Sequence, residues 1–259
     1  MFAAVIHGDA KELAELTRQH PCFDVNKQDE DGWTLLHHAC LVSERSAVIP
    51  LLLAHPDVDV NLKSGNGSTP FMFASSGYVS CVRELLKDSR VKVNEPANNG
   101  MTPLWRVAYG GHLDVIKWWI ASGRGMDLGK PEDVDNTDAI GIAHKREKTE
   151  VVALLEGFKS DATKTRHAVR VELGLLDNLA AEMFALVVFV SDGILQIKDT
   201  HPSPAARYFS IARSLPLELQ MVLCYRMVGS SKEIIQGKDS EVSFKRLAES
   251  LLWSSFFSS

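Results

Sequence analysis

The chain has 259 residues, 45% hydrophobic and 24% charged, values of an ordinary globular protein that exclude wholesale disorder, a collagen-like fibre and a multi-span membrane protein. Twenty-eight Lys and Arg against thirty-three Asp and Glu leave a formal charge of −5, which argues against the broad phosphate-binding face of a non-specific nucleic-acid binder. Cys22, Cys40, Cys81 and Cys224 form no CxxC pair, so they read as reduced core thiols rather than a disulfide framework or zinc site, and the expected location is the cytoplasm or nucleus.

The N-terminal MFAAVIHGDAKEL loses its apolar run by His7 and Asp9, unlike a secretory signal. A period then sets in. GWTLLH begins at Gly32, GSTPFMF at Gly67, GMTPLWR at Gly100 and a degraded DNTDAIG at Asp135, placing threonines at 34, 69, 102 and 137. Val25-Asn26, Val60-Asn61 and Val93-Asn94 recur in phase with them, and apolar runs of helical spacing start at Val48, Cys81, Val115 and Val151. Each unit therefore reads as turn, short helix, second helix and loop. The Thr caps the first helix, and Pro70 and Pro103 take the first helical position, where a missing N–H costs nothing. Two short amphipathic helices cannot bury their apolar faces alone, so the units are expected to stack as a solenoid.

From Lys159 the period stops, and KSDATKT reads as a polar connector. Leu179, Met183, Leu186, Val187, Val190 and Ile194 mark one helical face, and Phe184, Val188 and Phe189 make that segment apolar nearly all round, which predicts a buried central helix. The longest apolar stretch, Met183 to Val190, is far short of the ~20 residues that span a bilayer. Residues 168–173 fit a strand or a helix, with helix preferred. Further helices are predicted from Ser203-Pro204, with Ala205, Tyr208, Phe209 and Ala212 inward, from Leu215-Pro216 to near Gly229, and after Asp239, with Phe244, Leu247, Ala248 and Leu251 on one face.

The pattern D-x-x-G-x-TPLH, then Ala, Gly-His, V-x-x-LL and VN, resembles the ankyrin repeat. The third unit matches best, with Thr102, Pro103, Leu104, Ala108, Gly111 and His112 in the family positions; the first keeps Asp29, Gly32, Thr34, Leu36, His37 and Ala39; the second keeps Gly67, Thr69, Pro70 and Gly77. In the fourth, Asp138, Ala139 and Ile140 replace Pro, Leu and His. The resemblance implies an all-α fold: an ankyrin-repeat solenoid over residues 1–158, made of an N-terminal capping half-repeat and four repeats of which the fourth is degenerate, followed by a C-terminal helical domain over 159–259 that packs against it. It also implies a non-enzymatic interaction module that holds a partner protein on its concave face. Turn-tip residues Asp31, Trp33, Asn66, Ser68, Asn99 and Met101 are the implied contacts, with His38, Phe73 and Arg106 after the family His position, Gly141 at the same place in the fourth unit, and Tyr109 further along. Each competes with the plainer role of covering a neighbouring repeat. Trp105 stands in the family His slot and is expected to pack between repeats, as are Trp118 and Trp119.

LPLELQMVL from Leu215, followed by FKRLAESL from Phe244, weakly resembles an F-box, which implies docking on a Skp1-like adaptor and, as the alternative function, a substrate-recruiting subunit of a ubiquitin ligase. The gap between the two pieces is longer than usual and Leu247 stands where Trp is common, so a purely structural helical domain is the competing reading. No catalytic, cofactor or metal set is expected. GxSxG, HExxH and GK[ST] are absent, Gly129-Lys130 being followed by Pro131. The loop Gly65 to Thr69 reads as a repeat turn rather than a phosphate cradle. His37, His38 and Cys40 lack the further ligands of a zinc site. Asp133, Asp135 and Asp138 fail as a calcium loop, because Asp138 stands where Gly is required and His144 where Glu is required.

Overall fold

The computed structural model describes residues 1–20, 23–129, 137–195, 204–230, 232 and 234–256. All regular elements among them are helices, and they form two compact units, Met1–Val169 and Arg170–Ser259. In the first unit, α1 (Phe2–His7) and α2 (Ala10–Gln19) are followed by the pairs α3 (Leu35–Ala39) and α4 (Ile49–Leu53), α5 (Pro70–Ala74) and α6 (Val79–Lys87), α7 (Pro103–Gly110) and α8 (Leu113–Ser122), and α9 (Ala139–Lys145) and α10 (Thr149–Ser160). A 3-10 turn, Ser43–Val48, joins the two helices of the first pair. The segment expected as a half-repeat holds both of its helices, with Asp9 accepting from Lys11 N and Glu12 N to start the second.

The threonines cap as their phase requires. Thr34, Thr69 and Thr102 accept from the backbone N–H three residues on, in His37, Met72 and Trp105. In the fourth pair the cap moves by one residue: Asp138 accepts from Gly141 N, so it replaces the Thr of the pattern and not the Pro. Thr137 Oγ1 instead accepts from Trp105 Nε1 at 3.3 Å. That bond ties the third pair to the fourth, as expected for Trp105. Trp119 is fully buried against Phe71, whereas Trp118 is only half-buried, with the Arg83 guanidinium 4.1 Å above its ring.

The VN marker is the joint between units. Asn26 accepts from Asp59 N at 2.8 Å and donates to Asp57 O at 2.7 Å; Asn61 accepts from Lys92 N at 2.7 Å and donates to Arg90 O at 2.9 Å; Asn94 accepts from Asp127 N and donates to Gly125 O. Each Asn is thus a two-way bracket to the loop one repeat on, and the valine before it is buried. Asn61→Ala removes both bonds and leaves a backbone donor and acceptor without them. We expect it to lower stability by about 1–3 kcal/mol, read as a shift of the urea midpoint; an unchanged midpoint would show that water replaces the bracket without loss.

Beyond residue 158 the first unit runs on to Val169. The expected connector is helical: α10 continues to Ser160 and α11 spans Ala162–Glu172, with Asp161 between them accepting from Lys164 N. Arg166 Nε donates to Ile120 O, so this segment belongs with the third pair. In the second unit α12 (Leu176–Ser191), α13 (Pro204–Ala212), α14 (Leu217–Met227) and α15 (Gly237–Phe256) enclose a core of Ala180, Ala181, Phe184, Val187, Ala212, Cys224, Tyr225 and Ile235. The helix preferred at 168–173 is the end of α11, which stops at Glu172; α13 and α14 start as expected, and α15 starts at Gly237, two residues ahead of Asp239. The predicted inner face of α12 is corrected: Ala180, Ala181, Phe184, Ala185 and Val187 are buried, Leu179, Met183, Leu186 and Val190 are half-buried, and Ile194 is exposed. Cys40, Cys81 and Cys224 are buried free thiols, and burial, with Glu44 nearby, pushes Cys81 up to about 12. Cys22 and the acidic turn with Asp133 and Asp135 lie outside the described residues. No single helix among those described is long and apolar enough to cross a membrane.

Candidate partner-binding face

The turn tips are built alike. Asp29 N, Ser64 N and Ala97 N donate to the carbonyls of Trp33, Ser68 and Met101, closing each tip at about 3 Å. A side-chain oxygen fills the inside: Asp29 Oδ1 accepts from Asp31 N and Trp33 N, Asn66 Oδ1 from Ser68 N, and Asn99 Oδ1 from Met101 N. Neighbouring tips are then stitched together, Gly65 N to Asp31 O and Asn98 N to Asn66 O. Gly67 sits at φ +81° where a Cβ would lie 2.6 Å from Asn98 N, so positive φ and close approach both require glycine there. The tips form one bonded edge before any partner arrives.

Along that edge Asp31, Asn66 and Asn99 are exposed, as expected of contact residues. Ser68 is not. It is 4% exposed, and its carbonyl accepts from His37 Nε2 at 3.1 Å and Ser64 Oγ at 3.0 Å, so it is corrected from a contact to an internal joint. His37 Nδ1 meets Thr34 N and Thr34 Oγ1 at 3.1 and 2.9 Å. Both ring nitrogens are therefore occupied, which removes His37 as a metal ligand.

Trp33, His38 and Phe73 come together, half-buried: the Trp33 ring centroid lies 5.4 Å from that of His38 and 5.0 Å from that of Phe73, edge to face. The sequence reading missed two members of this group. Phe2 sits edge-on to His38 at 5.5 Å, and Asp29 Oδ2 is 2.7 Å from His38 Nε2. Burial acts to raise the Asp29 pKa, but the bonds from Trp33 N, His38 and Asp31 N outweigh it and hold the carboxyl below its ordinary range.

Met101, Arg106 and Tyr109 line a separate groove of about 490 Å³ together with Ser76, Trp105 and His112. Arg106 Nε donates to Ser76 Oγ at 2.7 Å, and the Tyr109 ring, 41% exposed, stacks on Trp105 at 5.3 Å. Arg146, from the degenerate unit, lies 3.8 Å over the Tyr109 ring. His112 had been visible only as a family marker, and nothing in its own stretch of sequence singled out Arg146. The two groups are joined through α5 and the residues after it, since Phe73 touches Trp33 while Ser76 holds Arg106. The ten contact residues expected in the first three repeats thus resolve into an exposed edge, an aromatic group, a groove, and one internal serine, while Gly141 of the fourth receives the Asp138 cap.

A family model described as ankyrin repeats matches residues 1–96 in three copies. The human SMC5-SMC6 complex localization factor protein 1 is 27% identical over 182 residues, 67% of this chain and 17% of that protein. The human transient receptor potential cation channel subfamily A member 1 is 35% identical over 103 residues, 38% of this chain and 9% of the channel. A putative ankyrin repeat protein, YahD, of Escherichia coli (strain K12) is 33% identical over 101 residues, 36% of this chain and 49% of that protein. The chain spans less than a fifth of the length of the first of these relatives.

Proposed function

From the ankyrin repeats of residues 1–96, a kind of module that generally serves protein–protein interaction, we propose that the chain acts by binding rather than catalysis and holds a partner protein on the face formed by its turn tips and first helices. The observation that carries this reading is the continuous strip Trp33, Phe73, Ser76, Arg106 and Tyr109, built from three successive repeats. Trp, Tyr and Arg are the residue types that dominate binding energy at interfaces, and rings already held against other rings lose little freedom when a partner covers them. Affinity capture with the whole chain beside a quadruple variant, Trp33→Ala, Phe73→Ala, Arg106→Ala and Tyr109→Ala, tests it. Partners should be lost from the variant while its melting temperature shows that the repeats still fold. An identical set of captured proteins from a folded variant refutes the proposal.

A second reading, the ubiquitin-ligase subunit, draws on Leu217 and Leu219, 53% and 51% exposed at the start of α14. In the same experiment it predicts a Skp1-like adaptor that survives the quadruple substitution and disappears with Leu217→Asp.

A further inference from the structure

We propose that the groove of the second and third repeats receives an acidic, extended peptide segment of the partner protein, whose carboxylates meet Arg106 and, at the groove's edge, Arg146 and Lys148 of the fourth repeat, while an apolar side chain of the peptide lies against the exposed part of Tyr109. The inference rests on the binding face described above and assigns a chemistry to one part of it.

The chain as a whole is acidic, and some of its cations pair with carboxylates, Arg18 with Glu15, Lys63 with Glu95, Lys87 with Glu84 and Arg90 with Asp88, while others, such as Arg83 on Trp118 and Arg124 on backbone carbonyls, are held without one. Those around this groove are of the second kind. Among the described residues Arg106, Arg146 and Lys148 have no carboxylate within ion-pair distance. Arg106 spends only Nε on Ser76, which leaves its two terminal nitrogens for a forked pair of bonds to a carboxylate. Arg146 is held over Tyr109 by its flat face, so its edge N–H groups remain. The stem of Lys148 lies along Gly111, and burial, Lys148 and Arg106 together lower the His112 pKa, so each cation acts on the histidine that lines the groove. Of the acids of the fourth repeat, Asp138 is committed to Gly141 N at 2.6 Å, and Glu147 and Glu150, next to Lys148 in the chain, form no ion pair with these cations among the described residues.

Gathering like charges without counter-charges is unfavourable until an anion arrives, and the apolar floor strengthens the attraction by keeping water out. A volume of about 490 Å³ falls within the ~300–1,000 Å³ of ordinary ligand sites. It suits a few side chains rather than a duplex. Three cations on a chain of net charge −5 also fall short of the stripe of basic residues that tracks a phosphate backbone.

The test uses the whole chain and three labelled probes, read by fluorescence anisotropy: a short Glu/Asp peptide with one Phe, the same peptide with Gln and Asn for every acid, and a single-stranded oligonucleotide of equal charge. The acidic peptide should bind, its amide counterpart should not, and the oligonucleotide should bind more weakly than the peptide. Affinity for the acidic peptide should fall several-fold as salt rises from about 50 to about 300 mM. Arg106→Gln and Arg146→Gln should each weaken it by roughly tenfold with melting temperature unchanged, and Arg18→Gln should leave it alone. Equal binding of the acidic and amide peptides, tighter binding of the oligonucleotide, or indifference to both groove arginines overturns the assignment. If the peptide fails while Trp33→Ala with Phe73→Ala still abolishes partner capture, the acidic assignment falls and the binding face stands; if capture is indifferent to every substitution on the face, the face itself falls.

Discussion

Trp119→Ala should lower the unfolding free energy of the repeat unit by about 3–5 kcal/mol, read as the loss in urea midpoint at constant m-value. Trp119 is fully buried on α8 and is among the largest such side chains, set edge-on to Phe71 at 5.0 Å across the second and third pairs. In a solenoid each pair touches only its neighbours, so emptying one interface cannot be made up by distant contacts. Truncation to Ala removes transfer free energy and opens a cavity between two stacked pairs. Trp119→Phe separates the contributions. The indole Nε1 is buried with no acceptor among the described residues, so exchanging the indole for a phenyl ring loses area but also removes an unmet donor, and its cost should stay within about 1–1.5 kcal/mol. Equal losses for both substitutions would contradict this account of the site.

Acid is expected to loosen the repeats through His37. Burial lowers its pKa to about 4, against a smaller upward pull from the Ser68 carbonyl, which receives its Nε2–H. In the folded state Nδ1 accepts from Thr34 N; a proton there would turn an acceptor into a donor facing a donor, breaking the cap of α3. The unfolded histidine titrates near 6.5 and the folded one near 4, so between these values the unfolded chain binds more protons and stability falls as pH falls. The contribution is complete above about pH 6.5, declines through the interval and is flat below about pH 4. A difference of this size corresponds to a loss on the order of 3 kcal/mol. Urea midpoints followed by tryptophan fluorescence at several pH values should show the slope, and His37→Gln should flatten it. A slope in that window that survives His37→Gln would assign the acid sensitivity elsewhere. The carboxyls held below their ordinary range, Asp29 and Asp88 among them, act at lower pH, where carboxylates begin to protonate.

The features that were legible in the sequence are those whose physics is local. A Thr cap bonds three residues ahead, a proline in the first turn needs no partner, and a glycine at positive φ leaves a gap in side-chain chemistry at a fixed phase. The fourth pair shows how little margin that leaves: once Asp138 can cap as well as Thr137, the register shifts by one and Thr137 is freed for Trp105. The VN marker was visible, but its task was not, because Asn61 bonds to a loop about thirty residues away. Ser68 looked like a turn tip by phase alone; only the His37 ring coming from the previous repeat makes it internal. On α12 a nearly uniform apolar surface offered no face to choose. The choice fell to the alanines at 180, 181 and 185, whose small size lets neighbouring helices approach closely.

By itself, then, the sequence determined the repeat architecture, its phase, its capping chemistry and the separate helical region after it, because each depends on interactions spanning a few residues. The tertiary structure alone decided which of the expected contacts share a surface, that α11 begins within the first unit through Arg166, and that Arg146 of a degenerate repeat lies over the Tyr109 ring. Those outcomes depend on side chains tens of residues apart meeting in space.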